Sequence, residues 1–398
     1  MIRKETLTIL TNLDLGCLNS LRKIKKQGDQ SWLENKIYYG RRTEMAKMLF
    51  KKGEFRILSD DLGKLSAAET NQLIKTAGTT CYQTREVSRK TPEQFVQMLQ
   101  NSGHYAMLEH SWRTVEVSSA SGRFPKEEIG FRLYKANNLF CITERPFSLL
   151  ISGNLRMFSE GWIKSGDVFI CSIHHLLAQE NPVIFRQRGN FKLPEDDFRV
   201  LINPELGSKK EILVHRAMTV EFNNHSRGMT HETVRSRSGD EKITSYAQES
   251  TRYVDYAKRG MDLDKFQIRF VLPYNGQFDF SQIISFSVDG TEYSFTPQRF
   301  TNLIEGWYRE LRKKGLKPEE ARQWLPIGLK SQIVQTYNLN EWRHWFFIRT
   351  GQRAHPEIRF SAVRLLEEVQ KRIPECFNDF EISQDGQSAV YKGGDPLV

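Results

Sequence analysis

The chain has 398 residues, of which 39% are hydrophobic and 27% charged, and its formal net charge is +10. This composition is typical of a globular protein with a sizeable core, and the apolar runs are too short to cross a bilayer. Five scattered cysteines argue against a disulfide framework and a Cys-based zinc site. With no secretory signal at the N-terminus, we expect a cytoplasmic protein.

The positive charge is concentrated near the N-terminus. Residues 1–53 have an excess of seven positive charges. Such an asymmetry is typical either of a polyanion partner or of a solvated basic face. Because no nucleic-acid motif or interleaved aromatic surface accompanies the charge, a solvated basic face is the favoured interpretation, and nucleic acid is a possible but not favoured partner.

The predicted elements begin with helical pieces in this basic N-terminal extension, and a catalytic unit is predicted from residue 54, where "FRIL" predicts a short strand. Two helices follow. Ser66 is the predicted N-cap of "AAETNQLIKTAGTTCY", and Thr91 is the predicted N-cap of "PEQFVQMLQN", with Gly103 just past its end. The alternation in "SWRTVEVSS" then predicts a strand.

The first half of the predicted unit contains an insertion. Residues from about 119 to 210 combine strand-like "LFCITE" and "SLLISG" with a helix at "VFICSIHHLLAQ". Beyond it, "LVHRAMTVEFN" predicts a strand and "MTHETVRSR" a helix that stops near Ser238. The stretch "HPEIRFSAVRLLEEVQKRIP" predicts a core-facing amphipathic helix. The catalytic unit is expected to span 54–377, and 378–398 is expected to be a loose C-terminal tail.

The chemistry is concentrated in the stretch "THETVRSRSGDEKITSYAQESTRYVDY", which is rich in arginine and has neither cysteine nor a Gly-rich phosphate loop. Arginine is always charged and presents a planar fork, so clustered arginines typically hold phosphate or stabilise a developing oxyanion. The candidates in this stretch and further along the chain are Arg235, Arg237, Arg252, Arg322 and Arg349.

Other chemistries find little support in the sequence. No serine lies in a G-x-S-x-G elbow, the histidines lack metal-ligand spacing, and neither a G-x-G-x-x-G nor a P-loop motif occurs. We therefore expect no metal and no enzyme nucleophile. The pattern predicts a site that binds anionic, planar ligands while an organic cofactor supplies the reactivity.

Four motifs resemble the flavin-dependent thymidylate synthases. They are "AGTTCY" at 77–82, "SGHYAMLEHSW" at 102–112, "SRGMTHETVRSR" through "TSYAQESTRYVDY" at 226–256, and "LPIGLKSQIVQTYNLNEWRHWFFIRTGQRAHPEIR" at 325–359. The resemblance implies an α/β fold with a central, largely antiparallel sheet flanked by helices. It also implies a homotetramer whose active sites are shared between subunits.

The implied activity is reductive methylation of dUMP to dTMP. The resemblance implies that methylenetetrahydrofolate provides the one-carbon unit and that FAD carries reducing equivalents from NADPH. No enzyme nucleophile attacks the uracil in this chemistry, which agrees with the residues described above.

The resemblance also assigns residues by position. Arg349 would lie at the nucleotide base and stabilise negative charge on the ring. Arg322 and Glu232 would reach in from another subunit. The nucleotide-binding positions are Glu232, Arg235, Gln248, Glu249, Ser250, Arg252 and Arg322. The flavin-binding positions are Cys81, His104, Glu109, Ser236, Arg237, Ile243, Asn338, His344 and Ile348.

Departures from the family pattern leave alternatives open. Ser236 stands where the family triplet R-H-R has its histidine, about five extra residues follow, and Cys81 stands where a serine is common. A different acceptor such as UMP, or a hydroxymethyl product, is one alternative. Another is a non-catalytic, nucleic-acid-binding descendant that uses residues 1–53.

Overall fold

The computed structural model describes residues 47–49, 52–85, 88–119, 126–136, 139–165, 168–185, 198–236, 244–257, 268–273 and 279–393. Residues Met45–Val398 form one compact unit. Almost all of the predicted N-terminal extension, and the nucleic-acid hypothesis that rests on it, lies outside the described residues. The domain boundaries at residues 54 and 377 stay predictions.

The described elements alternate between strands and helices along the chain. The strands are β1 (Lys47–Leu49), β2 (Glu54–Ser59), β3 (Arg113–Ser119), β4 (Cys141–Glu144), β5 (Ser148–Gly153), β6 (Phe198–Ile202), β7 (Ala217–Ser226), β8 (Thr244–Gln248), β9 (Arg269–Val271), β10 (Ile284–Val288), β11 (Thr291–Phe295), β12 (Lys330–Asn338), β13 (Phe380–Ile382) and β14 (Ala389–Tyr391). The helices are α1 (Ala67–Tyr82), α2 (Pro92–Asn101), α3 (Lys126–Ala136), α4 (Leu155–Ser165), α5 (Val168–Glu180), α6 (Lys209–His215), α7 (Arg227–Thr233), α8 (Pro297–Lys313), α9 (Pro318–Ala321), α10 (Leu339–Arg349), α11 (Pro356–Arg372) and α12 (Pro374–Phe377). Among the described residues, no helix combines the length and the apolar character that crossing a bilayer requires.

The central sheet has the strand order β2-β7-β12-β8, and all of its neighbouring strands are antiparallel. Its two faces are covered by different helices. On one face Ile333 and Tyr337 pack with α10 and α11, and on the other Val334 and Ala247 pack with Ala77 of α1. The predicted α/β fold with a central, largely antiparallel sheet flanked by helices is confirmed.

A second antiparallel sheet has the order β4-β5-β3-β6. Its apolar side packs against α2, α3, α4 and α5 in a separate core that includes Val115, Ile151 and Phe158. The region predicted as an insertion, from about 119 to 210, therefore builds most of this sheet around β3. That the region is an insertion stays a prediction.

Two helix starts follow directly from the sequence. The Ser66 hydroxyl accepts a hydrogen bond from the main-chain N–H of Glu69, whose carboxylate in turn accepts from the N–H of Ser66. Thr91 and Gln94 form the same reciprocal pair at the start of α2. Each pair satisfies two main-chain donors that the helix leaves open, so both predicted caps are confirmed.

The amphipathic helix near the C-terminus is also confirmed, as α11. It begins with Pro356 in its first turn, and its apolar face lies in the core of the central sheet. The buried residues of this face include Ile358, Ala362, Leu365, Leu366 and Val369.

Three local predictions need correction. The strand predicted at "LVHRAMTVEFN" begins only at Ala217, because Ser208 caps a short helix, α6, that runs through the first three of these residues. The helix predicted at "MTHETVRSR" ends already at Thr233. The tail after residue 378 is not loose up to Tyr391, because β13 pairs with β14 and buries Phe380 against the core.

Candidate active site

Arg349, the predicted catalytic residue, is the last residue of α10 and is 8% exposed. Its Nε donates a hydrogen bond to Oγ of Ser236 (2.7 Å), and its Nη1 forms an ion pair with Oε2 of Glu232 (2.7 Å). Its Nη2 donates to the main-chain carbonyl of Glu232. The fold thus joins three predicted site residues and fixes the guanidinium before any ligand binds.

Thr233 holds α7, which contains Glu232, against the central sheet and α10. Its hydroxyl donates to Oε1 of Gln335 in β12 (3.0 Å) and accepts from the indole N–H of Trp345 in α10 (2.8 Å). All three residues are fully buried. Because these bonds join α7 to both elements, the end of α7 cannot shift without losing them. Thr233 was not predicted from the sequence.

The other cations predicted beside Arg349 differ from it. The side chain of Arg235 is 75% exposed and, within the described residues, makes a long ion pair with Glu232, 3.9 Å between Nη1 and Oε1. Arg237 and Ile243 lie outside the described residues. Arg235 therefore remains open to solvent beside the fixed guanidinium of Arg349.

A second group of predicted residues lies where β8 ends. The amide nitrogen of Gln248 donates to Oγ1 of Thr230 (2.7 Å) and to Oγ of Ser331 (3.1 Å). Because Thr230 lies in α7 and Ser331 in β12, Gln248 ties the end of β8 to both neighbouring elements. Its carbonyl oxygen is the group that this arrangement leaves for a ligand.

The turn after Gln248 brings together Ser250, Arg252, Arg322 and Cys81. The main-chain N–H of Ser250 donates to the carbonyl of Cys81 (2.9 Å), and Oγ of Ser250 accepts from the N–H of Arg252 (3.2 Å). Arg322 donates from Nη1 to the hydroxyl of Thr251 (3.1 Å). The guanidinium-bearing residues Arg252 and Arg322 are both exposed, which suits them to an anionic ligand.

Glu249, also predicted to bind nucleotide, lies beneath this turn and is 3% exposed. Its carboxylate pairs with the ammonium group of Lys330 (3.0 Å) and accepts from the hydroxyl of Tyr256 (3.0 Å). Burial, together with the charge of Glu249, raises the pKa of Tyr256 well above 10, so this hydroxyl stays a donor. In this chain the carboxylate anchors the turn from the inside.

The first group of predicted flavin positions lies near the start of β3. Oε1 of Glu109 pairs with Arg156 (2.6 Å), and its Oε2 accepts from the hydroxyl of Ser245 (3.2 Å). His104 is hydrogen-bonded through Nδ1 to the hydroxyl of Tyr82, and the two rings stack with centroids 6.0 Å apart. Burial, followed by the influence of Cys81, raises the pKa of Tyr82 to about 12.

The thiol of Cys81 is half-buried. Burial raises its pKa, so it stays neutral near pH 7. This state agrees with the prediction that the chain uses no enzyme nucleophile, because the thiolate is the nucleophilic form of cysteine.

The second group of predicted flavin positions lies on and before α10. Asn338 caps this helix, since its Oδ1 accepts from the N–H of Glu341 (2.9 Å) and its Nδ2 donates to the carbonyl of Val214 (3.3 Å). Both ring nitrogens of His344 are shielded from solvent, and neither has a hydrogen-bond partner within the described residues. Ile348 is half-buried one turn further on. A ligand that brings polar atoms to His344 would satisfy an imidazole that is otherwise costly to shield.

Two further residues of this surface escaped sequence reasoning. Tyr253 is 52% exposed, packs edge-on against Tyr82 with centroids 5.2 Å apart, and lies 5.6 Å from the guanidinium carbon of Arg252. The aromatic pair thus connects the predicted nucleotide residue Arg252 with His104. Both tyrosines could have been identified from their positions in the sequence, because Tyr82 ends the "AGTTCY" motif and Tyr253 directly follows Arg252.

Comparison with a family model finds a match. Residues 200–375 match the model described as "Thymidylate synthase complementing protein". This range includes α7, β8, β12, α10 and α11, and so contains Arg349 and the turn after β8.

Curated relatives match over a similar length. The flavin-dependent thymidylate synthase of Pyrococcus abyssi is 34% identical over 182 residues, which cover 46% of this chain and 66% of that protein. The enzyme of Geobacter sulfurreducens is 31% identical over 173 residues, 43% of this chain and 63% of that protein. The chain thus spans just under two thirds of the length of these relatives.

Two solved structures are more distant. The UMP/dUMP methylase PolB from Streptomyces cacaoi, bound with 5-Br dUMP, has 19% identity and a TM-score of 0.31, covering 43% of this chain and 73% of that one. Thymidylate Synthase X from Helicobacter pylori, with FAD and dUMP, has 16% identity and a TM-score of 0.31, covering 43% and 74%.

Proposed function

We infer that this chain, which belongs to the flavin-dependent thymidylate synthase family, is a methyltransferase that converts dUMP to dTMP. The one-carbon donor is methylenetetrahydrofolate and the reductant is NADPH. The observation that carries the proposal is the buried guanidinium of Arg349, which three hydrogen bonds to its own chain hold in place.

The exposed cations provide the nucleotide's phosphate site. Arg252 lies on the turn after β8, and Arg322 reaches the same turn through its hydrogen bond to Thr251, so a phosphate dianion can accept charge-assisted hydrogen bonds from both. Arg235 supplies a further exposed cation near Arg349. The carbonyl of Gln248 and the hydroxyl of Ser250 add neutral contacts to the sugar.

Arg349 acts at the pyrimidine ring. Its guanidinium is held in place and is shielded from water, so a charge that develops on a ring carbonyl is stabilised without reorganisation. The half-buried Ile348 packs beside the ring system and excludes water from it.

The residues present fit FAD. His344 has two shielded ring nitrogens without partners among the described residues, and His104 and Glu109 lie on the 102–112 motif that the family uses. When bound, FAD supplies hydride transfer. Arg237 and Ile243, outside the described residues, complete the proposed flavin contacts, together with Cys81 and Asn338.

An assay with several nucleotides tests the substrate. Purified protein is supplied with FAD, methylenetetrahydrofolate and NADPH, and dUMP, UMP and dCMP are compared by chromatography and mass spectrometry of the products. We expect dTMP to form fastest, from dUMP. Faster turnover of UMP, or a hydroxymethyl product, would contradict the proposed substrate or product, and a colourless protein that takes up no FAD would contradict the whole proposal.

We also propose that the chain assembles with copies of itself into a homotetramer. Large apolar side chains lie exposed beside Arg322, among them Trp307 (53%), Trp324 (60%) and Ile327 (67%). The rings of Trp307 and Trp324 touch, with centroids 5.7 Å apart, and such exposed patches typically mark an interface. Light scattering after size exclusion tests this. Trp324→Ser should weaken the assembly, and a monomeric wild-type protein would contradict it.

A cytoplasmic location completes the proposal. Cys81 and Cys376 are free thiols, and Cys376 is buried, which suits a reducing compartment. Cell fractionation tests this, and recovery in an extracytoplasmic fraction would contradict it.

A further inference from the structure

We propose that Ser236 and Glu232 are positioning residues that lock the guanidinium of Arg349, rather than groups that contact flavin or nucleotide themselves. This inference rests on the proposed function and revises the roles that position in the motif assigns to both residues. Its basis is a closed ring of hydrogen bonds that joins the side chains of Arg349 and Ser236 to the main-chain carbonyl of Glu232.

Three hydrogen bonds form this ring, and an ion pair supports it. Arg349 donates from Nε to Oγ of Ser236, and from Nη2 to the main-chain carbonyl of Glu232. The hydroxyl of Ser236 donates to that same carbonyl (3.4 Å), so both lone pairs of the carbonyl oxygen are used. The carboxylate of Glu232 adds the ion pair to Nη1 (2.7 Å).

The hydroxyl of Ser236 has no proton left to donate to a ligand. Its side-chain oxygen accepts from Arg349 and its proton goes to Glu232, and the residue is 1% exposed. A hydroxyl whose only proton is donated inside the chain cannot donate to a flavin without breaking this ring, and burial shields the one lone pair that remains. Its effect on the reaction therefore passes through Arg349.

These contacts determine which N–H groups of Arg349 remain for a ligand. A guanidinium has five N–H groups, and the contacts to Ser236 and Glu232 use three of them, one on each nitrogen. One N–H on each terminal nitrogen stays available. Those two donors are held in one orientation, as recognition of a pyrimidine carbonyl requires.

The carboxylate of Glu232 also sets the local charge. It neutralises Arg349, whose side chain is 9% exposed, while its other oxygen lies 3.9 Å from the exposed Arg235. A neutralised guanidinium attracts the nucleotide phosphate weakly but keeps its directed N–H groups for the pyrimidine. We therefore expect the contacts of Ser236 and Glu232 with Arg349 to affect the chemical step more than nucleotide binding.

Substitution of Ser236 tests whether this residue positions Arg349. Ser236→Ala should lower kcat by about 10- to 100-fold, because a hydrogen bond to a charged group is lost, and should leave the KM for dUMP within about threefold. Ser236→Thr retains the oxygen and should recover kcat to within about threefold of wild type. Thermal unfolding checks that both variants are folded. A Ser236→Ala variant with unchanged kcat would overturn the inference.

A double-mutant cycle separates positioning from direct contact. In an Arg349→Ala background, Ser236→Ala should change kcat and FAD affinity by no more than about twofold, because the group it positions is gone. A further loss in either quantity would show that Ser236 contacts a ligand, and would overturn the inference while leaving the proposed function intact. A wild-type protein that neither binds FAD nor methylates dUMP would overturn both.

Discussion

The surroundings of Arg349 and the turn that contains Arg252 are built in opposite ways. Arg349 is buried and makes three hydrogen bonds to its own chain. Arg252 and Arg322 are exposed, and the contacts described for them are a ring contact with Tyr253 and one hydrogen bond to Thr251. The chain thus completes one half of the site by itself and leaves the cations of the other half for a ligand or a second subunit.

The exposed half is nevertheless rigid underneath. Glu249, Lys330 and Tyr256 form a buried cluster below the turn, and the N–H of Ser250 is bonded to the carbonyl of Cys81. The backbone is therefore fixed, while Arg252 and Arg322 lie exposed at the surface. Under the proposed function, this comparison predicts that base recognition is pre-organised and that phosphate recognition is adjustable, and four experiments test it.

The largest effect is expected beneath the turn. Lys330→Met leaves the buried carboxylate of Glu249 without its ion pair and should lower the free energy of unfolding by about 3–5 kcal/mol. Urea titration measures this. Lys313→Met, which removes a surface pair with Glu310, should cost at most about 1 kcal/mol. Equal small losses in both variants would show that the turn is not anchored from the inside.

Next in size is the loss of the fixed cation. Arg349→Ala should lower kcat by about 100- to 1,000-fold, because a pre-organised donor to the developing charge is removed. Arg349→Lys should restore little, since an ammonium group cannot bond to Ser236 and to the carboxylate and main-chain carbonyl of Glu232 in the same planar arrangement. Steady-state kinetics with dUMP measures both. A lysine variant as active as wild type would contradict the need for a fixed fork.

The exposed cations should have a smaller effect, and on binding rather than on chemistry. Arg252→Ala and Arg322→Ala should each weaken dUMP binding by roughly 10- to 150-fold, since each removes a charge-assisted contact of about 1.5–3 kcal/mol. Isothermal titration measures the affinity, and Arg132→Ala, a surface substitution in α3, serves as the control. Unchanged affinity in both variants would remove these residues from the phosphate site.

The smallest effect is expected from acid. Burial alone would raise the pKa of Glu221, but its hydrogen bond and charge interaction with Arg85, and the charge of Arg56, outweigh burial and hold this pKa below 4.5. A lowered folded-state pKa gives stability that is present above the unfolded value and is lost as pH falls through the folded value. Below about pH 4.5 the free energy of unfolding of the wild type should therefore fall more steeply with pH than that of Glu221→Gln. The difference between the two slopes should correspond to less than one bound proton. Parallel stability curves would contradict this.

Much of the local structure was predictable, because it depends on neighbours in sequence. The caps at Ser66 and Thr91 and the apolar face of α11 follow from spacings of three and four residues. The hairpin of β13 and β14 was missed because Phe380 is buried by residues of distant elements, which leave no local pattern. Helix α6 was missed because its last three residues also fit an alternating pattern.

The candidate site was likewise predictable from the sequence only in part. The arginines and the residues of the motifs could be identified from the sequence. The contacts of Arg349 with Ser236 and Glu232 could not, because these residues lie 113 and 117 positions away and meet only when α7 docks against α10. The anchoring role of Glu249 likewise depends on Lys330, 81 positions away in β12.

The central claim is that the chain itself fixes Arg349 for the pyrimidine ring, whereas Arg252 and Arg322 are oriented by the nucleotide. A crystal structure of the wild-type protein with FAD and dUMP tests it most directly. The account predicts that Arg349 keeps its bonds to Ser236 and Glu232 and lies at a ring carbonyl, while Arg252 and Arg322 turn to the phosphate. An Arg349 that leaves Glu232 to reach the phosphate, or a nucleotide bound away from these arginines, would contradict it.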